Sequence, residues 1–518
     1  MKKIIPIIAL IFVFLGTTTL FAQNDKSEFD KWKEQQNKEL QKFKDQKDKD
    51  FEDYRAKVNA EFAEFMKKRW EEFNVSQAIP APKAPEPVKQ PVVAPETKPT
   101  AEPLPIEKVT PPPAPTPRPQ PIAPISTEPE PEKPKPETPK TPESQKPEPQ
   151  KPEPQKPAGT ANFAFPFFNT DCKVTLNDAL RFSLPDISEQ TVANTWKKLS
   201  SNQYNALLND LLTLRDKLNL SDWGYYQLIK TVSEKFLGTG SNEAVLMQMF
   251  ALTQSGYKVR IARAGNKLAL LIPFKETIYE YTYLNIGGVK YYIVNKELKG
   301  QSFSMCNQEF PKEQFFSWQT NQPKLTEKLN TPKKFTSKVV SDINVSVQTN
   351  QSLIDYYNTY PLSSQWNLYT RAGLSETVKQ TFYPALKRAI AGKSNPEAAE
   401  ILLRFLQTTF DYKTDDQQFG YERPFFADEN FFYPYNNCKD RAILYCLLVK
   451  ELLGLNAVLL EYSAHLATAV HFPENVEGDY LTVNGKKYIV CDPTYIGASI
   501  GMTMPDCKKE KANVVTIW

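Results

Sequence analysis

The chain has 518 residues, enough for two or three domains, yet 43 of them are proline, so a good part of it is not core. Its 64 basic and 60 acidic side chains nearly cancel to a net charge of +4, and they are interspersed rather than clustered, which argues against a nucleic-acid partner. With two histidines in all and no pair of the six cysteines at metal-ligand spacing, no metal site is expected.

Residues 1–22 have a Lys2-Lys3 head, an apolar run from Ile4 to Leu15 and the exit G-T-T-T-L-F-A ending at Ala22. This is the pattern of a cleaved signal peptide. The mature protein is therefore expected to be exported, periplasmic or extracellular, with no transmembrane span. Residues 23–77 are charged and nearly free of glycine and proline. Phe29, Leu40, Phe51, Phe62 and Phe73 stand eleven apart, and Trp32, Phe43, Tyr54 and Phe65 repeat the spacing. Eleven residues fill three helical turns, so both series fall on one stripe of a single helix, roughly 75 Å long at 1.5 Å per residue. The stripe over residues 25–75 suits self-association or an envelope partner. Residues 78–158 hold most of the prolines and end in K-P-E-P-Q-K-P-E-P-Q-K-P; they are expected to be a disordered, extended spacer.

The globular part, from residue 159 on, contains an internal repeat. Asn242-Glu-Ala-Val-Leu aligns with Asp440-Arg-Ala-Ile-Leu, and the same offset pairs Gly256 with Gly454, Leu268-Ala269 with Leu466-Ala467 and Phe274 with Phe472. After a two-residue indel, Lys290-Tyr-Tyr-Ile-Val matches Lys486-Lys-Tyr-Ile-Val. Residues 159–300 thus read as one copy of a fold, 301–370 as a β-rich connector and 371–518 as a second copy. Helices are expected over Leu374–Ala391 and Pro396–Phe410.

The second copy carries the chemistry. Asn437 reads as an N-cap, with Asp440 completing a capping box, so Cys438 falls in the first turn of a helix running to Leu453 and ended by Gly454. There the unpaired N–H groups and the dipole favour a thiolate. His465 opens a strand reading H-L-A-T-A-V-H-F, and Asp492 closes the next, K-K-Y-I-V-C-D-P-T-Y. Cysteine, histidine and aspartate are the types needed for a nucleophile, a proton carrier and a group that fixes the imidazole. His471 is six residues beyond His465 and points to the same face of the strand, so spacing leaves it open as an alternative base. In the first copy Gly240, Lys267 and Lys296 stand where Cys438, His465 and Asp492 stand in the second, which makes that copy degenerate.

The Cys-x-Asp helix start, the His-led strand and the D-P-T strand end resemble the transglutaminase-like family, a branch of the papain-like cysteine enzymes. The resemblance covers about the last quarter of the chain. It implies an α+β fold in which a Cys-bearing helix packs on an antiparallel sheet, with Cys438 as nucleophile, His465 as base and Asp492 as orienting acid, and no cofactor. It also implies an oxyanion donor just upstream of the cysteine, for which Tyr433, Tyr435 and Asn436 are the candidates. The segment Asp411 to Tyr435, rich in Phe, Tyr and Asp and absent from the first copy, is expected to line the cleft. The expected activity is hydrolysis or acyl transfer at peptide or protein amides through a thioester. The alternative is a non-catalytic tethering or protein-binding module on the same scaffold.

Overall fold

The computed structural model describes residues 25–82, 93–94, 101–114, 116–121, 161–201, 204–295, 298, 302–340, 343–363 and 365–518. The signal peptide and the linker between 122 and 160 lie outside these residues, as does Lys296. No described helix is long and apolar enough to cross a membrane. The chain is α+β and divides into two units, residues 1–57 with 123–141 and residues 58–122 with 142–518. What is described of the first unit is helical, with Trp32, Leu40, Phe43 and Tyr54 exposed on it.

The N-terminal helix is Asp25–Met66, shorter than the 23–77 expected from the eleven-residue spacing. From Val58 on it belongs to the second unit, where Phe62 is buried 4.9 Å from the Trp196 ring and 5.2 Å from Phe310. The Trp70 indole folds back to donate to Met66 O at 3.0 Å, and Glu71–Asn74 then leaves as a strand in which Phe73 pairs with Phe303. Burial of Trp70 and this ladder override the helical period at Phe73. Residues 58–74 are therefore part of the globular core rather than a free stripe.

Two six-stranded sheets organise the second unit. The first is antiparallel and runs Glu71–Asn74, Ser302–Cys306, Arg260–Ala264, Lys267–Pro273, Val289–Ile293, Tyr283–Ile286. It nearly closes on itself, because Ser76, two residues past the first strand, bridges Tyr283 in the last. The second runs Ile106–Thr110, Ala512–Thr516, Asn456–Glu461, Leu466–His471, Lys486–Cys491, Tyr480–Val483. It is a curled mixed half-barrel, since Ile106–Thr110 pairs parallel with Ala512–Thr516. Matched by position in the chain, the strands of the two sheets follow the same order. A helix precedes the first hairpin in each case: Asn242–Gln254 packs on Lys267–Pro273, and Cys438–Leu448 on Leu466–His471.

The strand Ile106–Thr110 corrects the expectation of a linker disordered throughout 78–158. Residues 106–110 form a proline-free run between Pro105 and Pro111, so their N–H groups can enter a ladder that proline cannot. On either side, Leu104 N donates to Tyr480 O at 2.8 Å, Arg371 Nη2 to Pro113 O at 3.0 Å and Gln319 Nε2 to Ala114 O at 3.2 Å. Arg118 pairs with Asp216 at 3.0 Å. Pro113 here serves as a carbonyl acceptor for a side chain of the body.

The expected β-rich connector 301–370 is also redrawn. Its first strand, Ser302–Cys306, belongs to the first sheet. The remainder holds one hairpin, Lys333–Thr336 with Asn344–Val347, and two helices, Gln351–Tyr357 and Trp366–Arg371. The side chain of Asn350 caps the former helix, and Tyr356 and Tyr357 are buried. The helices Glu376–Ile390 and Asn395–Thr409 fall where expected, and all six cysteines are free thiols.

Candidate active site

Cys438 is the first residue of its helix, after Asn437 in extended conformation. Asp440 Oδ2 accepts from the Asn437 N–H at 2.9 Å and its Oδ1 from the Phe425 N–H at 3.1 Å. One carboxylate thus fixes the helix start and fastens the segment ahead of it. The helix turns as a π-helix over Val449–Leu453 and ends at Gly454, whose φ of 69° is the left-handed conformation that glycine adopts freely.

His465 stands immediately before the strand Leu466–His471, and Asp492 just beyond Lys486–Cys491. These two strands are adjacent, and the cysteine helix packs across the first of them, so the three side chains converge. His465 Nε2 donates to Asp492 Oδ2 at 2.8 Å. The Cys438 thiol hydrogen-bonds the same ring, and with Nε2 committed, the nitrogen left to it is Nδ1. Asp492 is itself held: its Oδ1 accepts from the N–H groups of Thr494 at 2.9 Å and Tyr495 at 3.2 Å. Gln407 on the helix Asn395–Thr409 donates to Asp492 O and to Ala498 O, both at 3.0 Å, and clamps the turn from below.

The electrostatics favour a charged pair. Burial alone would push the Cys438 thiol up, but the His465 hydrogen bond and charge, Lys439 and the Leu466 N–H outweigh it and hold the thiol below its ordinary value. Burial likewise opposes a charged His465, yet Asp492, by charge and hydrogen bond, and then Cys438 raise the imidazole well above its usual range. Opposite shifts in two hydrogen-bonded groups describe a thiolate–imidazolium pair. The other thiols behave differently: burial pushes Cys172 and Cys306 up to about 11, and raises Cys446 well above its ordinary value.

His471 does not join the site. Its Nδ1 donates to Lys487 O at 2.9 Å at the far end of the strand, and its ring lies 5.5 Å from Tyr488. The proposed oxyanion side chains do not join it either, for Tyr433, Tyr435 and Asn436 are all absent from the cleft lining. The Tyr433 hydroxyl accepts from Arg423 at 3.1 Å and donates to Asn358 at 3.2 Å. The Tyr435 ring lies under Lys413 at 4.0 Å, and Asn436 Nδ2 donates to Asn430 at 2.6 Å. Residues 435–436 pair parallel with 411–412, and that pairing turns these side chains away. The donor left at the nucleophile is the backbone N–H of Cys438, which has no intrahelical acceptor at this position.

A cleft of about 170 Å³ opens at Cys438 and His465, with Trp366, Glu422, Pro424 and Glu461 among its walls. Lys439, buried beside the nucleophile, pairs with Asp415 and Glu422, each at 2.6 Å. Asp415 also accepts from Asn437 Nδ2 at 2.6 Å, so the acidic part of the 411–435 segment is tied to the helix start. Of its aromatics, Phe425, Phe426 and Phe431 are core. Lys439 and Gln407 were not legible as site residues; the one available signal was the position of Lys439 next to the cysteine.

In the first sheet the equivalent positions keep only the geometry. Lys267, at the start of its strand, reaches Gly240 O at 3.5 Å, with no thiol or imidazole between. Compared with family models, curated proteins and solved structures, the chain matches none.

Proposed function

We propose that this protein is an exported cysteine hydrolase acting on peptide or protein amides, with a transglutaminase-like catalytic domain and a degenerate copy of the same fold ahead of it. The observation that carries the reading is the buried His465–Asp492 pair set against a thiol at a helix N-terminus. In the proposed cycle the Cys438 thiolate attacks the amide carbonyl, and the oxyanion is met by the Cys438 N–H. The C–N bond breaks as His465 passes its proton to the leaving amine, which leaves a thioester on Cys438. Water then adds, giving a proton to His465; the C–S bond breaks, and the carboxylic acid leaves with the thiolate restored. The matching strand order of the two sheets supports duplication, and retention of all three side chains in one copy alone supports chemistry there. The aromatic stripe of residues 25–57 is the surface we assign to self-association or an envelope partner.

A non-catalytic binding module is the second reading, favoured by the first sheet, which keeps the topology without the three side chains. The two readings separate on the rate at which iodoacetamide labels Cys438 across pH, with the adduct located by peptide mass. The hydrolase reading expects fast labelling below pH 7, lost in His465→Ala and kept in His471→Ala. Slow labelling with an ordinary thiol profile in all three proteins would sink it.

A further inference from the structure

A second cavity, of about 400 Å³, adjoins the cysteine cleft and shares Tyr279, Leu362, Glu422 and Pro424 with it. Tyr357, Tyr360, Tyr369, Tyr421 and Phe426 add an aromatic face to its lining, in which Tyr357 and Phe426 stack at 4.1 Å. Tyr357 also carries a buried hydroxyl that no described group satisfies, an acceptor that a donor-bearing ligand would complete.

The charges lining the two cavities are unequal. Glu280, Asp415, Glu422, Glu429 and Glu461 stand against Lys439, Arg423 and the His465 ring, which is committed to Asp492 and Cys438. Lys439 serves Asp415 and Glu422 together, and Arg423 is bound to Glu429. Among the described residues Glu280 and Glu461 have hydrogen-bond donors but no cation: Glu280 accepts from Ala81 N at 2.7 Å, Glu461 from Trp366 Nε1 at 2.9 Å. Burial pushes the Glu429 carboxyl up to about 7 and raises Glu422 against the pull of Lys439.

We propose that this tyrosine-walled cavity is a subsite for a cationic side chain, lysine or arginine, of the polypeptide whose amide Cys438 attacks. The inference rests on the hydrolase reading above. Aromatic faces attract an ammonium or guanidinium through their quadrupole, more strongly where water is excluded, and the acidic excess supplies the counter-charge. The apolar stem of such a side chain lies against rings while its head reaches Glu280 at the rim. The chain's own residues 79–82 mark where an extended main chain fits. Glu280 N donates to Ile79 O at 2.9 Å, Ala81 lines the aromatic cavity and Pro82 the cysteine cleft.

The test uses the full mature chain and three alkylating probes: iodoacetamide, an iodoacetamide bearing a trimethylammonium-propyl arm, and its neutral analogue with a tert-butyl head. Each replaces its C–I bond by a C–S bond to Cys438 and releases iodide. The cationic arm should react about tenfold faster than the neutral one after correction by free cysteine. That preference should saturate, fade with added salt and be suppressed by N-acetyl-lysine methylamide but not by the norleucine analogue. Glu280→Gln, which keeps the acceptor for Ala81, should bring the ratio toward that of free cysteine. A ratio equal to that of free cysteine, or a preference indifferent both to salt and to Glu280→Gln, overturns the subsite while fast labelling by iodoacetamide leaves the hydrolase reading standing. Slow labelling by iodoacetamide itself overturns both.

Discussion

Asp492→Asn tests whether the buried carboxylate is what makes Cys438 a thiolate. The substitution keeps size and shape, and an Asn Oδ1 still accepts from Thr494 and Tyr495, so the turn at 492–495 survives. What changes is the atom opposite His465 Nε2, 2.8 Å away, where an amide N–H now faces a ring N–H. The ring must give up its Nε2 proton to accept from the amide, and its remaining proton then sits on Nδ1, toward the sulfur. Such a tautomer takes no proton from a thiol, and without the negative charge behind it the imidazolium is no longer favoured. Cys438 then titrates like an ordinary thiol near 8.5, of which only about 0.3% is thiolate at pH 6. Against a wild type whose thiol is held below its ordinary value, iodoacetamide labelling at pH 6 should fall on the order of tenfold, because the loss of thiolate outweighs the higher nucleophilicity of a more basic thiolate, which offsets it by roughly an order of magnitude. The pH profile should move up to that of a free thiol. Amide turnover, once a substrate is found, should fall about 10⁴-fold, because the base is in the wrong tautomer. A variant that folds and labels at pH 6 within about threefold of wild type would show that Asp492 does not set the state of the pair, and the charge-relay geometry would lose its chemical meaning.

Phe62→Ala removes a ring buried against Trp196 and Phe310 and should cost about 3–5 kcal/mol in urea unfolding; a loss under about 1 kcal/mol would mean that residues 58–66 contribute little to the core. Gly256 has a φ of +88°, and an added Cβ would lie 2.1 Å from Gln120 O. Gly256→Ala should therefore loosen residues 116–121 and speed limited proteolysis there, whereas an unchanged cleavage rate would detach this segment from Gly256. The Glu429 carboxyl is raised from 4.5 to about 7 chiefly by burial, with Arg423 opposing. The folded chain holds this proton more tightly than the unfolded one, so the group penalises folding increasingly as pH rises from about 4.5 to 7, by roughly 3 kcal/mol in full. Glu429→Gln should flatten the melting temperature over that window, and an unchanged slope would refute the assignment.

The convergence of Cys438, His465 and Asp492 was legible because each sits at an element boundary that sequence marks well: a capped helix start, a strand start and a strand end before proline. The shared strand order of the two sheets was legible for a related reason, since core positions keep an apolar pattern whatever stands at the strand ends. What escaped was set by tertiary contacts. Phe73 continues a helical period, and only the burial of Trp70 and pairing with Phe303 take it into a sheet. Ile106–Thr110 lies within composition that predicts disorder, and its ladder depends on Ala512–Thr516, some four hundred residues on. Parity along the strand placed His465 and His471 on one face, but the cysteine helix packs over one end only. Tyr433, Tyr435 and Asn436 were near the nucleophile in sequence, and a two-residue parallel pairing turned them elsewhere.

The segment ahead of residue 159 supplies an edge strand to each sheet. Residues 71–76 close the first sheet through Glu71–Asn74 and Ser76, and residues 103–110 extend the second through Pro103 and Ile106–Thr110. In both sheets the outermost strand is thus supplied by the segment that precedes the globular domains, and in both it lies beside the last strand in chain order. One difference bears on function: the added strand is antiparallel in the first sheet and parallel in the second. Between those two strands, Ala81 lines the aromatic cavity and Pro82 the cysteine cleft. The first sheet thereby holds one end of a segment that goes on to line the cleft at Cys438. Residues that follow the first sheet's helix contribute in another way, since Tyr279 lines the cleft at Cys438 and Glu280 the cavity beside it.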